Sequence, residues 1–191
     1  MESDNPSGAD NQQERPSQDD WLNQIPIDLG NWITGFVEGE GSFNVPVRRE
    51  HDRAMPWRVS LSFNVSQVGS ELPELLKSTF GVGTVRDRGD GVCYFEVTKP
   101  RDLSERVFPF FERFPLLGPK KNDLAIFRQV TELVQSGRHR TLEGLREALL
   151  LRGPMNRGGK RRRTDSEILG ALLDLGILRG HTQGSGFEAA G

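Results

Sequence analysis

The segment from Trp32 to Phe43, WITGFVEGEGSF, holds the residues best suited to chemistry in this 191-residue chain. It reads as an apolar helix that carries Gly35 and Gly39 and ends on Glu40. A glycine inside a helix costs about 1 kcal/mol relative to alanine, so two of them call for a reason. Residues four apart share a helix face. A face of Gly35 and Gly39, bordered by Trp32 and Phe36, lets a second backbone approach closely. Glu40 then stands as a carboxylate at the lower end of that contact, and Gly41 is placed to terminate the helix.

The elements that must position these groups follow from period and punctuation. Asp28 is expected to cap the helix, which runs to about Gly39. Residues 42–49 and 58–67 alternate apolar and polar, the mark of strands with one buried and one wet face. A short helix over 73–80 is closed by Gly81. The run GVGTVRDRGDGVCYFEVTK predicts a hairpin that turns at Gly89-Asp90-Gly91. A further helix starts at Pro100, and Pro109 inside it demands a break or kink. Helices are expected over about 122–136, from Thr141-x-x-Gly144 to about 151, and over 165–175.

The polar rows of the four strands fall on one outer face: Asn44, Arg48, Arg58, Ser60, Ser62, Asn64, Ser66, Thr84, Arg86, Arg88, Tyr94 and Glu96. Alternation of this kind usually means only a solvated face. Here acids are few, Arg86 and Arg88 recur two apart, and Ser60 and Ser62 leave room. Guanidinium, amide and hydroxyl groups can read base edges in the major groove. Arg157, Lys160, Arg161, Arg162 and Arg163 form the densest basic run, suited to backbone phosphates or simply to solubility.

Net charge is −2, which alone argues against a nucleic-acid partner. Its distribution changes that. Residues 1–20 hold six acids and one arginine, which leaves 24 basic against 21 acidic residues in the remainder. Cys93 is the lone cysteine, so there is no disulfide framework or zinc-ligand set. No apolar run has membrane-spanning length, and no membrane partner is expected. The expected organisation is a disordered acidic tail over 1–20, a main domain over 21–152, a basic segment with a short helix over 153–180 and a disordered tail over 181–191. His51, His139 and His181 lack ligand spacing.

The nonapeptide ITGFVEGEG, Ile33 to Gly41, resembles the LAGLIDADG motif of homing endonucleases position by position. Acids fill its sixth and eighth places, and glycine its third, seventh and ninth. The resemblance extends over roughly residues 21–160, with one motif in the chain. It implies an α+β fold, the αββαββα core with an antiparallel DNA-binding sheet and extra C-terminal helices. One-motif members act as homodimers, with the helix face of Trp32, Gly35, Phe36 and Gly39 as the dimer interface. The implied activity is Mg²⁺-dependent cleavage of both strands of a long, pseudo-palindromic double-stranded DNA site by an intron-encoded enzyme. No small-molecule substrate is expected.

The resemblance also assigns roles. Glu40, the eighth motif residue, is the implied metal-binding carboxylate, and Glu38 has a structural role. Gln67 corresponds to a polar residue that positions solvent. The phrase PLLGPKKND maps an active-site lysine to Lys120, with Lys121 in reserve. One departure stands out. Some relatives carry an arginine soon after the Gln position, whereas Val68, Gly69, Ser70 and Glu71 follow here. The resemblance places the protein inside cells, in bacterial cytoplasm or an organelle matrix. An intron RNA maturase and a catalytically inactive DNA-binding regulator stay open as alternatives on the same fold.

Overall fold

A computed structural model describes residues 18–50, 56–158 and 164–174. Its first helix, α1 (Gln18–Asn23), begins inside the stretch expected to be an unstructured tail. Trp21 explains the difference. Its ring lies under the Arg106 guanidinium, 4.6 Å from centroid to carbon, and Arg113 donates to the Leu22 carbonyl. Two apolar residues and two arginines outweigh the acidic composition around them.

Helix α2 (Ile27–Glu40) buries Gly30, Ile33, Thr34 and Val37. Pro26, not Asp28, occupies the cap position, and no side chain closes the end. Asp28 sits in the first turn, where a carboxylate suits the helix dipole. Gly41 does not stop the helix through a left-handed conformation, because its φ is −77°. It enters strand β1 (Gly41–Asn44) directly. Glycine is needed there for space, since a Cβ would lie 2.6 Å from Val37 Cγ1.

The two long alternating stretches form one hairpin broken at Pro46. Strand β1 pairs with β4 (Ser62–Val68), and β2 (Val47–Arg49) pairs with β3 (Trp57–Val59). Ser60 N–H donates to the Pro46 carbonyl, so the register is continuous across the gap. Pro46 has no N–H to return, and the ladder lapses there. After helix α3 (Glu71–Phe80) the chain forms β5 (Thr84–Asp87) and β6 (Val92–Val97), as the sequence predicts. Asp87 Oδ1 accepts from Gly89 N–H at 2.7 Å and Asp90 Oδ1 from Val92 N–H at 3.1 Å, which fixes the turn. The four-stranded sheet is antiparallel, in the order β1-β4-β6-β5.

Pro109 is accommodated by a change of helix type. Helix α4 (Pro100–Asp102) passes into a π-turn (Leu103–Val107) and then α5 (Phe108–Arg113). Phe108 N–H reaches back to the Leu103 carbonyl, five residues earlier. The extra residue rephases the helix, so that Leu103, Val107, Phe108, Phe110 and Phe111 are all buried. Helix α6 (Lys120–Gln135) and helix α7 (Leu142–Arg152) follow, and Thr141 Oγ1 caps α7 by accepting from Gly144 N–H at 3.1 Å. Helix α8 (Asp165–Asp174) is tied back through Asp165 to the buried Arg152.

The core is an aromatic layer between the sheet and its helices. Phe43, Phe63 and Phe95 face Phe80, Phe110, Phe111 and Phe127, with ring centroids 4.7 to 6.4 Å apart across the cluster. Gly30 belongs to this packing. A Cβ there would lie 2.4 Å from the Phe114 ring, whose residue is pinned by a 2.9 Å bond from Thr34 Oγ1 to the Phe114 carbonyl. Gly30→Ala should therefore destabilise the protein by about 1–2 kcal/mol, the overpacking cost exceeding the gain in helix propensity. Urea denaturation checks this, and an unchanged midpoint would count against it.

Candidate functional site

Helix α2 presents two unlike faces. Opposite the buried face, Gly35 and Gly39 are exposed, and a Cβ at either would meet nothing within 4 Å. Trp32 is 46% exposed and stacks on the half-buried Phe36, with ring centroids 5.5 Å apart and planes 3° from parallel. Such an apolar, backbone-baring strip is unusual for a surface that faces only water.

At the end of this strip stands Glu40, exposed and without a bonding partner among the described residues. Its neighbour Glu38 turns the other way. Glu38 Oε1 accepts from Gly118 N–H at 2.7 Å, holding the loop between α5 and α6 against the motif helix. Space for that contact depends on Gly118, because a Cβ there would lie 2.7 Å from Glu38 Oε2.

That loop delivers the lysines, and the structure separates them. Both lie in the first turn of α6. Lys120 Nζ donates to the Glu38 carbonyl at 2.6 Å and to the Gly39 carbonyl at 3.3 Å. It thus meets the unpaired carbonyls at the C-terminal end of α2, where a cation is favoured. Lys121 is exposed. The Lys120 ammonium sits one residue from Glu40.

Gln67 lies within β4 rather than after it, on the same face as Phe63 and Val65. Gly41 pairs with Val65, so Gln67 reaches past the end of β1 to the edge of the sheet where α2 enters. Glu40, Lys120 and Gln67 thus share one end of the fold. Cys93 is the register partner of Gln67. Burial, then the Asp87 charge, push its thiol above the ordinary value. Among the described residues, no three His, Cys, Asp or Glu side chains converge as a metal site.

The polar row occupies one face of the sheet, as cross-strand pairing requires. Asn44 stands opposite Ser62, Asn64 opposite Glu96, Ser66 opposite Tyr94, Tyr94 opposite Arg86 and Glu96 opposite Thr84. Ser62 is the exception to the expected exposure, at 7%. Its hydroxyl donates to Glu96 Oε1 at 2.7 Å and accepts from Asn64 Nδ2 at 3.0 Å. Glu96 Oε2 in turn accepts from Arg86 at 2.8 Å. The result is a hydrogen-bonded chain over three strands, and Ser62 lies beneath it instead of on top. Arg88 donates to the Tyr94 hydroxyl at 2.7 Å and packs over its ring.

At the far end, Arg48 and Arg58 are direct cross-strand partners in β2 and β3. Like charges placed opposite each other destabilise a ribbon unless an anion answers them, and Glu50 bonds Arg58 at 3.2 Å. Ser60 is half-buried in the gap between β3 and β4. Of the basic run, Lys160, Arg161, Arg162 and Arg163 lie outside the described residues, as does the side chain of Arg157. The segment before them is not loose. Met155 is 2% exposed, and Asn156 bonds three separate groups. Composition gave no warning of Asn156.

Helix α2, which bares two glycines and ends on Glu40, heads an αββαββα core, the arrangement implied by the resemblance of Ile33 to Gly41 to the LAGLIDADG motif. The chain belongs to the LAGLIDADG endonuclease family, whose sequence model matches residues 33–131. It is 31% identical over 132 residues to a probable intron-encoded endonuclease of Neurospora crassa, covering 66% of this chain and 25% of that protein. Among solved structures, the homing endonuclease I-TnaI matches with 31% identity and a TM-score of 0.64 over 76% of this chain and 96% of its own. The meganuclease I-SmaMI bound to uncleavable DNA matches with 29% identity and a TM-score of 0.65 over 71% of this chain and 46% of its own. The chain spans a quarter to under two fifths of the first curated relatives it matches. No described helix is long and apolar enough to cross a membrane.

Proposed function

We propose that this chain is one protomer of a homodimeric homing endonuclease that binds a long, partly palindromic DNA duplex and cuts both strands with Mg²⁺. The observation that carries the reading is the open strip of Trp32, Gly35, Phe36 and Gly39 ending on an unpaired Glu40. Two copies meeting along it would bring two Glu40 carboxylates together at one axis. A lone carboxylate is a poor metal site, whereas a pair of hard oxygen donors suits a divalent cation. Glu40 from each protomer would hold that cation, whose chemistry when bound is to activate water and stabilise charge on the leaving oxygen.

The chain's own residues would do the rest. Lys120, fixed by two carbonyls of α2, would place a positive charge beside the scissile phosphate. Gln67, at the same edge, would orient solvent. The polar sheet face would lie along the major groove, with Arg86 and Arg88 reading guanine and Arg48 and Arg58 reaching phosphate. The basic run through Arg163 would add backbone contacts and steepen salt dependence. This reading implies an intracellular setting, a bacterial cytoplasm or an organelle matrix, with an intron-encoded gene.

The test is selection from a randomised duplex library with Mg²⁺, with the particle mass measured at concentrations where DNA is bound. Two-strand cutting of a partly symmetric site by a particle of two subunits is expected. Selective binding without cutting would leave a DNA-binding regulator, and a one-subunit particle would remove the dimer. Within this scheme Lys120→Met should lower the single-turnover cleavage rate about 100-fold, while Lys121→Met stays within about threefold. Equal effects at the two positions would remove the assignment.

A further inference from the structure

We propose that Asn156 is a positioning residue that holds the carboxamide of Asn44 in one orientation and so sets which bases that position of the sheet accepts. The inference rests on the DNA-reading role proposed above for the polar row.

Asn156 lies beyond α7, in a short turn (Met155–Gly158). Its φ is 53°, the only positive value at a non-glycine residue among the described residues. Asparagine tolerates this left-handed conformation better than most residues, but it still needs support. Support comes from its anchored surroundings. The Asn156 N–H donates to Asp123 Oδ1 at 3.0 Å, and the neighbouring Met155 is buried. Its side-chain Nδ2 donates to the Phe43 carbonyl at 3.0 Å and to Asn44 Oδ1 at 3.3 Å. Phe43 and Asn44 both belong to β1, an edge of the sheet.

The backbone carbonyl fixes both amides. The Phe43 carbonyl can only accept, so Asn156 must turn its NH₂ toward β1. The second hydrogen of that NH₂ points at the Asn44 carboxamide, whose nearer atom lies 3.3 Å away. Asn44 can supply an acceptor only by turning its oxygen toward Asn156, which points its own NH₂ away. No group among the described residues accepts from that NH₂. Asn44 stands opposite Ser62 on the polar face, so it offers that face a donor end.

A fixed donor end has a definite meaning in the major groove. Guanine shows two acceptors there, thymine and adenine one each, and cytosine only a donor. The usual two-point contact of asparagine with adenine needs the amide oxygen beside the nitrogen, and here the oxygen is turned to Asn156. Guanine is the best fit at this position, and cytosine the worst.

The experiment compares target-site profiles of wild type and Asn156→Gly, selected from the same randomised library. Glycine accepts the left-handed backbone and removes the carboxamide. The guanine preference at one base pair should fall roughly fivefold, with other positions within about twofold. In an Asn44→Ala background, Asn156→Gly should change that pair no further. An unchanged profile, or a loss spread evenly over the site, overturns the proposal. A wild type that selects no sequence removes the DNA reading and this inference together, whereas a selective wild type matched by Asn156→Gly removes the inference alone. Amide exchange by NMR on the free wild type needs no variant. The Asn156 NH₂ should be protected and the Asn44 NH₂ exposed, and the reverse pattern overturns the assignment.

Discussion

Glu40→Gln is expected to abolish two-strand cleavage, lowering the single-turnover rate by about 1,000-fold or more, while DNA affinity changes by no more than about threefold. The substitution keeps size and shape and removes only the negative charge. Glu40 is exposed at the end of α2 and bonds no described residue, so the fold should not depend on it. The proposed dimer would lose both anionic donors at once, because each protomer would contribute the same residue. Cleavage of a plasmid carrying the selected site, read beside a gel-shift titration in metal-free buffer, separates the two effects. A variant that still cuts within tenfold of wild type would remove Glu40 from the chemistry. Glu38→Gln gives the contrasting case. Its carboxylate holds Gly118, so its loss should appear as lower stability of the loop that carries Lys120.

The second large effect concerns assembly. The double substitution of Gly35 and Gly39 to leucine should leave a folded protomer and weaken self-association by about 100-fold or more. Neither new side chain meets an atom within the protomer at its Cβ, and leucine is favoured over glycine in a helix by close to 1 kcal/mol per site. The same side chains would stand between two helices whose axes must approach more closely than the usual 8–10 Å. Gly30, on the same helix, predicts the opposite, because it faces Phe114 and not a partner. Sedimentation gives the mass. Thermal midpoints give an independent check, since a dimer's midpoint rises with protein concentration and a monomer's does not. A wild-type midpoint that ignores concentration, or a leucine variant that still dimerises, would defeat the proposed interface.

What could be read from the chain in advance was what local chemistry determines. The Gly89-Asp90-Gly91 turn, the Thr141 cap and the alternation in β6 all fell where residue type alone places them. The strip on α2 was legible because two costly glycines had to be doing something. Tertiary effects were not legible. Asp28 looked like a cap until Pro26 took the position. Ser62 sat in the polar phase of its strand, yet Glu96 and Arg86 reach over it from two other strands. The resemblance put Lys120 ahead of Lys121, but residue type alone does not separate adjacent lysines, and it is the loop held by Glu38 that brings Lys120 to the helix end. Asn156 carried no signal, since its partners are more than thirty residues away.

On the proposed DNA-reading role of the sheet, the bonded chain from Arg86 through Glu96 and Ser62 to Asn64 would bear on any effort to retarget this protein. A designer who swaps Arg86 alone leaves a carboxylate without its counter-charge, and one who swaps Asn64 alone loosens the hydroxyl beneath it. Recoding would have to proceed in blocks of at least three side chains. Libraries that vary single positions would undercount the specificities this scaffold can be given.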